Sequence, residues 1–88
     1  MNTKHDIANF INSLFHKLEI NYELDSTNIN KENFFGASIN LEAREFLYII
    51  TAIEDKYNLK FTEKDLIDDR LFEVEGLILL TEQSLNPR

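Results

Sequence analysis

Only two glycines and one proline punctuate the 88 residues of this chain, and that scarcity restricts the fold more than any other feature. Tight β-hairpin turns draw on residues that accept a positive φ, above all glycine, or on a proline that presets the turn. With so few of either, an antiparallel sheet lacks its usual connections, and helices joined by polar loops are expected. The length allows one domain, residues 1–88 with an ordered core of about 4–84, and leaves no room for a second. Hydrophobic residues make up 43% of the chain and seven residues are phenylalanine, enough to expect a packed core in place of disorder.

Nine basic residues against sixteen acidic ones give a formal charge of -7. Such a chain repels a phosphate backbone and favours partners that present Lys and Arg, so nucleic acid is not an expected ligand. The absence of cysteine removes disulfides, thiolate metal sites and cysteine nucleophiles together, and fits a reducing compartment, with the cytoplasm as the expected location. No apolar run approaches a bilayer-spanning length, and the start MNTKHDIANFINSLF sets an acid and asparagines where a signal peptide would be continuously apolar. The expectation is a soluble protein without a membrane partner, monomeric in preference to oligomeric.

Ile7, Phe10, Ile11, Leu14 and Leu18 recur at helical spacing and predict a first helix over about residues 4–19, with Thr3 and Asp6 placed as a capping box. The period then dissolves into NYELDSTNINKENFFGASIN, an asparagine-rich long loop pinned by Phe34, Phe35 and Ile39. Asn40 is the expected N-cap of a second helix whose stripe is Ala43, Phe46, Leu47, Ile50, Ile53 and Tyr57, widened by Ile49. Thr62 and Asp65 have capping-box spacing for a brief turn through Leu66 and Ile67, ended by Asp68-Asp69-Arg70. A last helix runs through Val74, Leu77, Ile78 and Leu80 to a frayed Asn86-Pro87-Arg88. The expected core is Phe10, Leu14, Phe35, Ile39, Leu47, Ile50, Ile53, Phe61, Val74, Leu77 and Ile78.

The stretch FFGASINLEAREFLYIITAIEDKY resembles the centre of an acyl carrier protein. Carriers have a Phe, three residues and an aliphatic before Asp-Ser-Leu, then a helix ending in Leu-Glu-x-x-Phe. Phe35, Ile39, Ile53, Glu54 and Tyr57 fall on that pattern without a gap, and the same register sets Glu42, Ala43 and Arg44 against Asp-Ser-Leu. Towards the end, Glu73-Val74 stands where carriers open their last helix with Thr-Val, after a two-residue insertion. The resemblance implies an all-α, acyl-carrier-protein-like four-helix bundle: three longer helices, one short helix, and a long loop between the first two. More narrowly the chain is similar to the small acyl-carrier-related proteins of bacterial peptide maturation systems, which pair an aromatic and aliphatic second helix with a missing or displaced serine.

A carrier needs a hydroxyl at the exposed start of its second helix, where the helix N-terminus favours the incoming phosphate. Ala43 cannot form that phosphodiester. Ser38 qualifies only if the second helix begins earlier, and its simpler reading is a turn serine bonded to nearby backbone. Ser26, in Leu24-Asp25-Ser26, imitates the motif in text but precedes no amphipathic helix. By the resemblance, Glu42, Glu45, Glu54 and Asp55 stand on the acidic face that carriers present to basic enzyme surfaces, with Arg44 in place of a partner-contacting Leu; an ordinary solvated helix face is the competing reading, and both stay open. Tyr48 and Phe46 are candidate aromatic anchors for a protein interface, with plain core packing as their competing reading.

Metal and hydrolytic chemistry find little to work with. His5 and His16 are about 16 Å apart along one helix and cannot share an ion. Asp68-Asp69 reads as a solvated helix end and not as an acid and base pair, and the interval from Asp25 to Gly36 lacks the ligand order of a calcium loop. No metal, no resident cofactor and no catalysis are expected. Three functions follow: a non-catalytic, carrier-related docking protein in a biosynthetic or peptide-modifying pathway; a true carrier with 4'-phosphopantetheine on Ser38; or a small acidic inhibitor or immunity-type protein.

Overall fold

A computed structural model describes residues 3–85; the expected frayed tail at Asn86-Pro87-Arg88 lies outside the described residues. The described chain is all-α: α1 (Thr3–Lys17), α2 (Ala43–Tyr57), α3 (Glu63–Leu66), a 3-10 turn (Asp69–Phe72) and α4 (Val74–Leu85). Among these residues the one β feature is an isolated antiparallel bridge between Asn33 and Glu73.

In α1 the buried face is Ile7, Ala8, Ile11, Leu14 and Phe15. The face is thus rotated from the expected stripe, so Phe10 is half-buried at its margin instead of in the core. There its ring meets Tyr57 edge-on at 6.0 Å and lies beneath Lys56 Nζ at 5.4 Å, linking α1 to α2. Since α1 already includes Thr3, its cap position falls outside the described residues and the expected Thr3–Asp6 box is not how it begins. The helix stops at Lys17, before the expected end, because Glu19 turns left-handed (φ 60). Glu19 N–H then donates to His16 O and Ile20 N–H to Phe15 O, the bond pair of a Schellman motif.

The long loop is built, not slack. Asn12 holds Leu24 from both sides: its amide donates to Leu24 O at 3.0 Å and its Oδ1 accepts from Leu24 N–H at 2.7 Å. Phe34 N–H donates to Phe72 O and Val74 N–H to Glu32 O, tying the loop to the end of the 3-10 turn. Leu24, Phe34, Ile39 and Leu41 are buried here.

Besides Phe10, two further expected core residues are not in the core. Phe34 is fully buried, whereas Phe35 is 40% exposed. Adjacent residues of this loop point in different directions, and the bonds from Phe34 N–H to Phe72 O and from Leu41 N–H to Phe34 O fix Phe34 as the inward one. The ungapped register through Phe35 therefore loses the buried aromatic on which it was drawn. Leu47 is 61% exposed, because the buried face of α2 is centred on Phe46, Ile49, Ile50 and Ile53 and leaves Leu47 about a quarter turn outside it.

The capping of α2 also differs from expectation. Asn40 is left-handed (φ 53), not an N-cap, and Leu41 and an extended Glu42 intervene before the helix starts at Ala43. The Thr62–Asp65 box does form, with Thr62 N–H to Asp65 Oδ2 at 2.9 Å and Asp65 N–H to Thr62 Oγ1 at 3.1 Å. Asp68 starts a new element instead of ending one: its carboxylate accepts from Arg70 N–H at 2.9 Å and opens the 3-10 turn, which buries Leu71. That turn packs directly on α4 at Gly76, where a Cβ would stand 2.0 Å from Arg70 O.

Candidate functional site

The start of α2 is where a helix end, an exposed alanine and an aromatic cluster meet. Glu42 is the N-cap, and its N–H donates to Glu45 Oε1 at 2.8 Å, satisfying a backbone donor that precedes the helix. Ala43, the first helical residue, is exposed. Arg44 Nε lies 3.0 Å from Glu42 Oε1 with both side chains largely in solvent, a pair worth little to stability. A side chain at position 43 is thus reachable from solvent, in the first turn of a helix whose end already carries the carboxylates of Glu42 and Glu45. Position 43 itself carries only a methyl.

The remaining site candidates divide by what they already bond. Glu45 is used in the cap, and half-buried Glu54 accepts from Phe61 N–H at 2.9 Å, closing the link from α2 to α3. Both hold the fold. Tyr48 (44% exposed) and Asp55 lie on the solvent face of α2, one turn and three turns beyond Arg44. Ser38 is exposed in a turn closed by Asn40 N–H to Gly36 O at 2.7 Å, well before α2 and not at its first turn. Ser26 follows Asp25 in a turn where Asp25 Oδ1 accepts from Thr27 N–H at 2.8 Å.

Beneath the start of α2 lies a feature that the sequence pattern did not reveal. Phe46 stacks at a tilt on Phe35 at 5.2 Å and on Phe72 at 5.6 Å, and Phe35 meets Phe72 edge-on at 5.6 Å. Phe72 has no periodic place in the sequence, because it belongs to a 3-10 turn hidden after Asp68-Asp69.

Two of the larger clefts among the described residues lie elsewhere. One of about 520 Å³ is bounded by Lys4, Asn9, Leu24, Ile29, Glu75 and Ile78, and one of about 380 Å³ runs between α1 and α2 beside Phe10, Tyr48, Ala52 and Lys56. Neither is lined by Glu42, Ala43 or Arg44, so neither offers shelter to a group attached at the start of α2. Among the described residues no three His, Asp or Glu side chains gather as a metal ion would require, and no helix is long and apolar enough to cross a membrane. A scan against protein-family models and searches of curated proteins and of solved structures give no match to this chain.

Proposed function

We propose that this chain is an acyl-carrier-related docking protein without catalysis of its own, acting in the cytoplasm on a biosynthetic or peptide-modifying enzyme with a basic surface. The observation that carries the reading is Ala43: an exposed residue opening the second long helix, at the position where a carrier needs a hydroxyl and this chain has none. The element order of long helix, long loop, long helix, short helix and helix supports the same relationship. Against the ungapped register stands the exposed Phe35, so the relationship rests on the element order and on the start of α2, not on that aromatic.

Intact-mass measurement after incubation with a promiscuous phosphopantetheinyl transferase and coenzyme A is the direct test. The wild-type protein should keep its mass, and an Ala43→Ser variant should gain one phosphopantetheine increment slowly, with Arg44 still in place of the usual Leu. An arm on wild-type Ser38 would replace this reading with that of a true carrier. For docking, Asp55→Lys is a cleaner probe than reversal of Glu42 or Glu45, which would also disturb the start of α2. Association with the partner enzyme should slow with rising salt and slow further in the Asp55 variant; tight binding that inhibits that enzyme, insensitive to both, would favour the inhibitor reading.

A further inference from the structure

Five phenylalanines form a continuous series from the core to the surface. Phe15 meets Phe34 at 6.3 Å, Phe34 meets Phe46 at 5.5 Å, and Phe46 meets both Phe35 and Phe72. The inner rings are buried, Phe72 is half-buried, and Phe35 at the outer end is 40% exposed. That outer ring is held in place. Phe35 N–H donates to Asn33 Oδ1 at 2.8 Å, and the residues before it are bonded across the Asn33–Glu73 bridge. A ring fixed in this way loses little conformational freedom when a partner covers it, which is what an interface anchor requires.

Charge around the cluster selects what can cover it. Arg44 and Arg70 are each engaged by an acid two residues earlier, Glu42 at 3.0 Å and Asp68 at 3.1 Å. Asp69 and Glu73, which precede and follow Phe72 in the chain, are both exposed, and the threefold repeat of a 3-10 turn sets Asp69 on the same side as Phe72. The rim is therefore anionic. A carboxylate or phosphate would meet like charge there and the negative face of the rings, and a wholly aliphatic segment would cover the acids without pairing them. A guanidinium suits both parts, because its plane stacks on an aromatic face while its N–H groups reach carboxylates. We propose that the Phe35–Phe46–Phe72 cluster is the anchor point for an arginine on an apolar segment of a partner protein, with the guanidinium stacked on Phe35 and paired to Asp69 and Glu73. This rests on the docking reading above, and places the anchor on the loop and the 3-10 turn, not on the acidic face of α2.

Photo-crosslinking tests the two levels separately. Benzoyl-phenylalanine is placed at position 35 or, separately, at position 48 of the full chain in the cells that make it, and adducts are mapped to the residue by mass spectrometry. Position 35 should label one partner within a few residues of an arginine, and the adduct should vanish when Asp69→Lys and Glu73→Lys are added. With that partner purified, Phe35→Leu should weaken binding about three- to thirty-fold in a variant that remains fully folded at the assay temperature. Adducts from position 48 but none from position 35 would overturn this proposal and leave the docking reading standing. Adducts from neither would overturn both. Adducts from position 35 to a segment without arginine, or to a second copy of this chain, would overturn the anchor assigned here.

Discussion

At Phe34 and Phe35 two identical side chains, adjacent in sequence, have different roles. Phe34 is fully enclosed between Phe15 and Phe46, so Phe34→Ala removes a buried ring and should cost about 3 to 5 kcal/mol. Phe35→Ala exposes part of Phe46 and Phe72 but leaves no closed cavity, and should cost less than half as much. Chemical denaturation of the two variants checks the order, and equal losses would mean that Phe35 carries core weight after all. A second residue works against the fold. Glu19 is left-handed at the end of α1, where a non-glycine side chain is strained by about 1 kcal/mol, whereas Asn40 and Asn58 meet the same demand with a tolerant residue. Glu19→Gly should therefore raise the melting temperature by a few degrees, through the native backbone; no rise would show that the strain is already relieved.

Among the elements, the 3-10 turn has the tightest tolerance. Its carbonyl at Arg70 sits so close to Gly76 that a Cβ there would be 2.0 Å away, with backbone and not a yielding side chain as the obstacle. Gly76→Ala would gain about 1 kcal/mol of intrinsic helix propensity. The clash outweighs it, and a net loss of about 1 to 3 kcal/mol is expected, with hydrogen exchange rising first in residues 69–76. Unchanged stability would mean that the turn moves away freely. This contact also shows what was legible beforehand. The Thr62–Asp65 box and the helix from Val74 could be read from spacing, because caps and periodic faces are local. The 3-10 turn could not, since Asp68-Asp69-Arg70 reads equally well as a stop and as a cap, and only burial of Leu71 against α4 decides. The start of α2 was readable to within three residues, but Glu54 as the acceptor for Phe61 N–H and the cluster of Phe35 with Phe46 and Phe72 depend on segments distant in sequence.

For the molecule as a whole, acid stability is set by opposing effects of one charge excess. With a net charge of -7 at neutral pH and a pI near 4.7, lowering the pH towards that value relieves self-repulsion and should leave stability level or slightly higher. Below it, two carboxylates reverse the trend. Asp68 is held below the ordinary carboxylate range by the N–H of Arg70 and then by its guanidinium, and Asp25 by the hydroxyl and N–H of Thr27. Because both bind protons less readily folded than unfolded, the unfolded state takes up more protons as pH falls. Their contribution is thus full above the ordinary Asp value of 3.8 and is lost as pH drops through the lower folded values. At the alkaline end the sign is opposite. Burial first, then the neighbouring acids Glu32 and Asp6, raise Tyr22 and Tyr57 above 10.0, so what they contribute persists below that pH and is lost as pH rises through their folded values. Melting temperature should accordingly stay flat from neutral pH to about pH 5 and fall between about pH 4 and pH 2. The paired Asp25→Asn, Asp68→Asn variant should start lower at neutral pH and show a shallower acid slope; a slope as steep as the wild type's would place the acid-sensitive groups elsewhere in the chain.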